Sequence, residues 1–405
     1  MYRVSNFLWH FALALISGIV VATFWVNLSP ESYYDFIEWR LFPLPSALAP
    51  LGSSLTIRGF VADVLMAFFL FYLGKEFWES CRLERGAMRR GQGGVPLIGA
   101  AGGVIGAALA WVLFAALFQT TEEASFATGW TVPLGSDVVL GYLFGRLVFG
   151  AGSPALHLLL ILTITMDVSA LLILGLVSPP IGLQLFWVTL PIGAVLVTWW
   201  RFGRHLNAPV SERQRLHFLQ LWPYVIAGVA SWIGVAAAGL PPALGLLPVL
   251  PAIPHADRAF GMFAEAEEYL TDPLNRFAHL LIWPIVGILG AFGLTHGGID
   301  LAAWTATSGI LLGALWIGKP LGIVIGALII APRMGYRLPQ SMRRRQVVLI
   351  AGIAGVGFTM PALSLGASLP GGAMQEAARL GLGISLLAGA ATLALARRIG
   401  QKRRA

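Results

Sequence analysis

Apolar stretches long enough to cross a lipid bilayer recur from near the first residue to near the last. A helix needs roughly 20 apolar residues to span about 30 Å of hydrocarbon. Only 11% of the residues are charged, whereas a soluble domain carries roughly 25%. Backbone polar groups in lipid must bond within a helix or around a closed barrel, and stretches of this length favour helices. The sequence therefore predicts an all-α polytopic membrane protein.

We predict about 12 transmembrane helices. Their approximate ranges are 7–27, 59–80, 94–118, 124–146, 155–176, 181–200, 221–238, 241–254, 275–294, 303–330, 346–367 and 376–396. The eighth is short and interrupted by prolines. The first is interpreted as a span and not as a signal peptide, because it lacks a small-residue cleavage site and many spans follow it.

Lysine and arginine are distributed unevenly among the predicted loops. They cluster after spans two, six and ten and at the C-terminus, in RLERGAMRR, RFGRHLNAPVSERQR, RMGYRLPQSMRRR and RRIGQKRRA, and are absent after spans three, five, seven and nine. By the positive-inside rule both termini face the cytoplasm, so residues 397–405 form a basic cytoplasmic tail. The net charge of +8 indicates this topology and contact with anionic membrane lipids, and not binding to nucleic acid.

The long loop of residues 28–58 faces the periplasm in this topology. Its sequence LGSSLTIRGF alternates at Leu55, Thr56 and Ile57, which is compatible with one strand of a β-hairpin. An irregular loop is equally compatible with the pattern.

Five ionisable residues stand out within the predicted spans: Asp63, Glu76, Asp137, Asp167 and Lys319. A charge in mid-bilayer costs about 2.5 kcal/mol or more, so each is a candidate functional residue. Asp63 and Glu76 lie near opposite ends of their span, where long side chains reach water easily. Their position agrees with a structural or gating role as well as with a catalytic one. Asp137, Asp167 and Lys319 lie deeper. Their charges must be balanced by one another or by a translocated cation.

Two predicted spans contain residues that disfavour a continuous helix. They are Gly129, Pro133 and Gly135 in TGWTVPLGSDVVLGYL, and Gly352, Gly355, Gly357 and Pro361 in AGIAGVGFTMPALSLG. Non-helical backbone at this depth is tolerated where it lines a wet cavity or is buried in protein. Paired interrupted spans indicate a transporter whose ion site lies between half-helices. The alternative is that the glycines only form packing faces between helices.

Several segments together resemble the NhaA-type sodium/proton antiporters. They are VADVLMAFFLFYLGKE, GWTVPLGSDVVLGYLFG, LLILTITMDVSALLILGL, IGKPLGI and GVGFTM, and they cover the chain from span two to span eleven. The resemblance implies a twelve-span protein of the bacterial inner membrane, built from inverted repeats with two crossed discontinuous helices, spans 4 and 11. It also implies a cytoplasmic funnel, no cofactor, transport of Na⁺ or Li⁺ against H⁺, and a homodimer formed through the outer hairpin.

The resemblance also implies roles for individual residues. Asp167 and Asp137 would be the ion- and proton-binding carboxylates: Asp167 would bind the cation or the proton, and Asp137 would balance the partial charges at the half-helix ends. Lys319 matches an intramembrane lysine of the family, while Ser136 stands where the family has a threonine. Apart from the resemblance, Thr165 and Ser136 are candidate oxygen ligands because Na⁺ prefers oxygen; the alternative is that such hydroxyls bond back to the helix backbone.

The remaining correspondences are less direct. Asp63 and Glu76 match family acids of span two, and Thr359 belongs to the second discontinuous helix.

The implied mechanism is competition between ions at Asp167. A proton from outside loads Asp167, and its release to the cytoplasm frees the carboxylate for a cation. Alternating access then exposes the site to the other side.

One departure from the family pattern concerns span five. The family has two adjacent aspartates there, and in this chain the first is Met166. A thioether is only a weak acceptor and cannot replace the acid that pairs with the lysine in the family. We therefore predict that fewer protons are exchanged per cation than in the family, and electroneutral exchange falls within this prediction.

Glu79 and the segment AEAEEYLTDPLNR also depart from the family pattern, at its cytoplasmic mouth. The family's steep activation at alkaline pH is therefore not expected here.

Two alternatives stay open at this stage. The first is a diverged homologue that has lost or changed cation transport, whose activity Met166→Asp would restore. The second, more remote, is an intramembrane aspartyl protease, which would need Asp137 and Asp167 to share a proton at close range. Lys319 argues against the protease, because a cation in the same cavity holds both acids ionised.

Overall fold

The computed structural model describes residues 4–82, 93–118, 129–177, 184–203, 220–254, 263, 272–339 and 342–400. Among these residues, nine helices are long and apolar enough to cross a membrane. A tenth span results if Arg344–Ala354 and Thr359–Ser368, bent by 48° at a short break, count as one. The prediction of an all-α polytopic membrane protein is confirmed.

The helices are numbered here in chain order. They are α1 Phe7–Leu28, α2 Pro30–Ile37, α3 Ile57–Cys81, α4 Gly94–Leu117, α5 Val138–Phe149, α6 Pro154–Val177, α7 Leu185–Phe202, α8 Trp222–Ala237, α9 Pro273–His296, α10 Ala306–Arg333, α11 Arg344–Ala354, α12 Thr359–Ser368 and α13 Ala373–Arg398. Their ends agree with the predicted spans to within a few residues wherever both are described.

The count of twelve spans stays a prediction. Helix α8 is shorter than a full crossing, and residues Pro242–Ala252 form two 3-10 segments. Prolines explain that geometry, because each lacks a backbone donor and interrupts the helical ladder. Most of the basic loop residues used for topology, and the basic tail beyond residue 400, lie outside the described residues.

Residues of the loop 28–58 form helix α2 and a small antiparallel sheet. Strand β1, Arg40–Pro43, pairs with strand β2, Ser54–Thr56, with Phe42 opposite Leu55. Leu55 is buried, and Ile57 already belongs to α3. The strand pattern therefore ends one residue earlier than the alternation suggested.

Glycines bring α4 and α10 into backbone contact. A Cβ on Gly102 would collide with the carbonyl of Gly322, and a Cβ on Gly106 would collide with that of Gly318. In lipid the hydrophobic effect does not drive helices together, so close packing of small residues supplies the contact. This interface holds α10, which carries Lys319, against α4.

We expect Gly322→Ala to destabilise the protein, because the added methyl group meets backbone that cannot move aside. Overpacking of this kind costs about 1–3 kcal/mol. The matched control is Gly309→Ala on the same helix, where a Cβ meets no atom within 4 Å. Thermal unfolding midpoints in detergent should fall for the first variant and stay level or rise for the second. Equal midpoints would contradict the packing argument.

Candidate functional site

The first interrupted segment lies between a short 3-10 segment and α5. The 3-10 segment covers Gly129–Leu134 and contains Pro133, and residues 135–137 are not helical. Two glycines are needed for close approach: a Cβ on Gly129 would collide with the Trp111 ring, and a Cβ on Gly135 with the Met360 side chain. Gly135 therefore lets this break lie directly against the second one.

The second interrupted segment separates α11 from α12. Residues 355–358 are not helical apart from a turn at Gly355, and Pro361 lies in the first turn of α12, where its missing donor costs no hydrogen bond. Ser385 Oγ lies 3.0 Å from the carbonyl oxygen of Gly357 and accepts a hydrogen bond from the Gly357 amide at 3.2 Å. The Ser136 hydroxyl donates to the carbonyl of Ala354 at 3.0 Å. Side chains thus satisfy backbone groups that the broken helices leave open.

Asp137 joins the N-terminal ends of both half-helices. Its Oδ1 accepts from the amide of Leu140 at 2.8 Å, and its Oδ2 accepts from the amide of Thr359 at 2.9 Å and from the Thr359 hydroxyl. The side chain is buried, with 1% of its surface exposed. Partial positive charge collects at helix N-termini, so this carboxylate lies where α5 and α12 both favour an anion.

Asp167 lies near the middle of α6 and is equally buried. Its Oδ1 accepts a hydrogen bond from the amide of Ser136 at 2.6 Å. Its Oδ2 has no hydrogen-bond partner among the described residues. The protease alternative requires the two carboxylates to share a proton through a hydrogen bond. Asp137 and Asp167 form no such hydrogen bond with each other.

Lys319 completes the group of deep charges. It is 0% exposed and follows a π-helical turn, Ala314–Gly318, of α10. Its Nζ donates to the carbonyl of Gly135 in the first break. No carboxylate of the described residues forms an ion pair with it. The contact that the structure shows for the ammonium group is thus with the carbonyl dipole of Gly135.

Met166 is buried between α6, α4 and α10. A Cβ built on Gly103 would lie 3.0 Å from Met166 Cε and 2.7 Å from Ile323 Cγ1, so these three residues meet. Ile323 is one helical turn beyond Lys319. An apolar side chain thus occupies the space beside the lysine-bearing face of α10.

The structure does not bring Asp63 and Glu76 into contact with the deep charges. Glu76 Oε1 pairs with Lys75 Nζ at 3.0 Å, and its Oε2 accepts from the Phe263 amide. Lys75 also pairs with Glu79 at 2.9 Å. Asp63 lies near the other end of α3 and lines a cavity there. The two acids belong to different regions of the protein.

The candidate hydroxyl ligands differ in position. The amide of Ser136 contacts Asp167 directly, whereas the Thr165 hydroxyl donates to the carbonyl of Ile161 at 2.7 Å within its own helix. Such a bond is the usual arrangement for threonine in a helix. Of the two candidates, Ser136 is therefore the one that is hydrogen-bonded to the Asp167 carboxylate, through its amide.

Sequence reasoning missed three polar residues that the structure buries. Lys75 and Arg379 lie within the predicted spans 59–80 and 376–396, and Arg379 pairs with Glu376 at 2.6 Å. Ser385 supports the second break. The charges were visible as ionisable residues inside apolar segments, but nothing in the sequence indicated what Ser385 contacts.

A cavity of about 780 Å³ opens on the side of the β1–β2 sheet. It is lined by Leu51, Asp63, Leu171, Leu174 and Ser368, among others. Leu171 is one turn from Asp167 on the same face of α6, a rise of about 6 Å. The cavity therefore extends to within one helical turn of the buried carboxylate. A funnel on the opposite side stays a prediction.

Comparisons with known proteins identify the family of this chain. A family model described as Na+/H+ antiporter 1 matches residues 9–396. The chain is 38% identical over 413 residues to the Na(+)/H(+) antiporter NhaA of Jannaschia sp. (strain CCS1), covering 97% of both chains. It is 30% identical over 410 residues to the Na(+)/H(+) antiporter NhaA of Geotalea uraniireducens (strain Rf4), covering 100% of this chain and 99% of the relative.

The matched region extends over almost the full length of both chains and therefore spans the two interrupted helices and the positions of the three deep charges. This chain therefore belongs to the NhaA family of Na⁺/H⁺ antiporters, a family of membrane transporters and not of enzymes.

Proposed function

We propose that this protein exchanges cytoplasmic Na⁺ or Li⁺ for external H⁺ by competition at Asp167. The observation that carries the proposal is that Asp167 Oδ2 has no hydrogen-bond partner among the described residues although the residue is only 1% exposed. An ionised carboxylate costs several kcal/mol to bury unless a counter-charge or hydrogen bonds compensate it. A proton or a bound cation satisfies that requirement, and the two exclude each other on one oxygen.

The balance of charge supports a monovalent ion. With Asp137, Asp167 and Lys319 all ionised, the buried group carries one net negative charge. One proton or one Na⁺ neutralises it, whereas a divalent ion leaves an excess positive charge in a low dielectric. Among the described residues, no group of three or more His, Cys, Asp or Glu side chains has the geometry of a metal centre. The remaining ligands would be oxygens of the break or water.

Asp137 has a different part in this proposal. Both of its oxygens accept hydrogen bonds, from Leu140 and Thr359, so in this proposal it stabilises the N-terminal ends of α5 and α12 and does not exchange ions. Lys319 contacts the carbonyl of Gly135, where the first 3-10 segment ends, and provides the opposite charge there. The two residues hold the breaks in place while Asp167 loads and unloads.

Met166 supports an altered stoichiometry. It places a thioether where the NhaA pattern has a second acid, and it packs against Gly103 and Ile323. With Asp137 held by its donors, Asp167 is the deep carboxylate that remains, among the residues described, to carry a proton. We therefore expect one proton per cation and electroneutral exchange.

Access from both sides completes the mechanism. The cavity that reaches Leu171 provides a route from the side of the sheet, which we assign to the periplasm from the loop charges. Opening towards the cytoplasm requires one helical bundle to move against the other. A bacterial inner-membrane location, cytoplasmic termini and a homodimer through β1 and β2 belong to the same proposal.

Asp167→Asn should abolish exchange, because an amide neither takes up a proton nor binds a cation as an anion. In proteoliposomes loaded with a pH-sensitive dye, the sodium-dependent pH change should fall to the level of empty vesicles. The control is Asp35→Asn, which removes an exposed acid on α2. Residual exchange above one tenth of the wild-type rate would contradict the assignment.

The two aspartates should differ in their effect on stability. Asn at position 137 must turn a donor towards the amides of Leu140 or Thr359, and losing such charged hydrogen bonds costs about 1.5–3 kcal/mol each. Asn at position 167 keeps the Ser136 amide bond and removes an uncompensated charge. Thermal midpoints should therefore fall for Asp137→Asn and stay at or above wild type for Asp167→Asn. The reverse order would show that Asp137 is not the structural carboxylate.

Met166→Asp should make transport depend on membrane voltage. The new carboxylate would lie beside the Lys319 face of α10 and add a titrating group. We would measure exchange rates in proteoliposomes at a saturating pH gradient, with and without an imposed potassium diffusion potential. The diffusion potential should change the rate of the variant and leave the rate of wild type unchanged. Met166→Leu is the control for changed packing. A voltage-dependent wild type would refute electroneutral exchange, and a silent wild type restored by Met166→Asp would establish lost transport instead.

A further inference from the structure

A second cavity lies on the outer face of α10, α11 and α13. It has a volume of about 540 Å³ and is lined by Trp316, Leu321 and Val324 of α10, Val348 of α11, and Ala391 and Leu395 of α13. Leu321 is 56% exposed and Leu395 is 46% exposed. The groove therefore opens sideways, at the depth where a membrane protein contacts lipid.

Small residues keep this groove open along its floor. Gly352 of α11 faces Thr392 of α13, and Ala388 and Ala391 lie beside them. The Thr392 hydroxyl donates to the carbonyl of Ala388 at 2.7 Å, so its hydrogen goes to the helix backbone. A long apolar slot with its hydroxyl already bonded suits hydrocarbon better than water or a polar ligand.

Arginines surround one end of the groove. Arg344 and Arg345 begin α11, and Arg397 and Arg398 end α13. Val348 lies one turn after Arg344, and Leu395 lies one turn before Arg398, so both pairs of arginines are within about 6 Å of the lining along the helix axes. All four are exposed, and they form no ion pair with the part of the chain that the structure describes.

We propose that this groove binds one anionic phospholipid, with its acyl chains along α10, α11 and α13 and its phosphate on Arg344 and Arg398. The charge pattern selects this occupant. An apolar slot alone accepts any lipid, but arginines at one mouth bind a phosphate through paired hydrogen bonds and raise the affinity for anionic headgroups. The first amides of α11 point to the same end and also favour an anion.

The bound lipid would pack against the outer side of the helices that carry the ion site. The groove includes Pro320, which follows Lys319, and Gly352, which lies three residues before Gly355. Acyl chains there would fill the space behind the second break and stabilise the packing of α10 against α11. This inference does not depend on the direction or stoichiometry of transport.

The test uses the full chain, purified and delipidated in a neutral detergent. Phosphatidylglycerol and phosphatidylcholine with the same acyl chains are titrated, and binding is measured by native mass spectrometry and by the thermal midpoint. We expect phosphatidylglycerol to bind more tightly to wild type. Arg344→Gln combined with Arg398→Gln should weaken it at least roughly tenfold, since each arginine near a headgroup contributes about a factor of five.

The groove itself is tested by Ala391→Trp, which fills the slot from its exposed side and should remove binding of both lipids. The charge control is Arg201→Gln, which removes an exposed arginine of α7, a helix that contributes no residue to the groove lining, and should bind like wild type. Unchanged midpoints without lipid show that each variant is folded.

Three results would overturn the proposal. One is equal affinity of wild type for the two lipids. Another is unchanged phosphatidylglycerol binding by Ala391→Trp. If that variant also changes the oligomeric mass, the groove is a contact between copies of the chain and not a lipid site. The third is equal stabilisation by soluble glycerol 3-phosphate, which would reduce the site to a surface anion contact.

Discussion

The bonds of Asp137 to Leu140 and Thr359 are the contact on which the site depends. Two helices are interrupted inside the membrane, and each break leaves backbone groups without partners in a solvent that offers none. One carboxylate accepts donors from the first turn of both α5 and α12, and so compensates two helix ends at once. Removing it would leave donors of two helices unsatisfied together, which makes this residue the structural centre of the protein.

That arrangement explains why the second aspartate is free to exchange ions. Asp167 is as buried as Asp137 but is bonded through one oxygen, to the amide of Ser136. The backbone that Asp137 stabilises thus also positions Asp167. Two residues of the same chemistry differ because one has its acceptors filled and the other does not, and the difference comes from their surroundings.

Close packing of α4 sets the position of the third charge. Its glycines admit the backbone of α10, and Gly103 admits the side chain of Met166. Lys319 is thereby brought to the carbonyl of Gly135, while the methionine occupies the neighbouring space. The side chain of Met166 therefore fills this space with a thioether and adds no charge beside the lysine-bearing face of α10.

The sequence by itself determined the class of protein, the approximate span ends, the two interrupted helices and the deep residues Asp137, Asp167 and Lys319. It could do so because lipid penalises charges, prolines and unpaired backbone so strongly that each exception stands out. Only the tertiary structure decided which oxygen of Asp167 is unpartnered, that Ser385 supports the second break, and that Glu76 pairs with Lys75. These depend on contacts between residues tens to hundreds of positions apart, or on side-chain directions, and neither is contained in local composition or spacing.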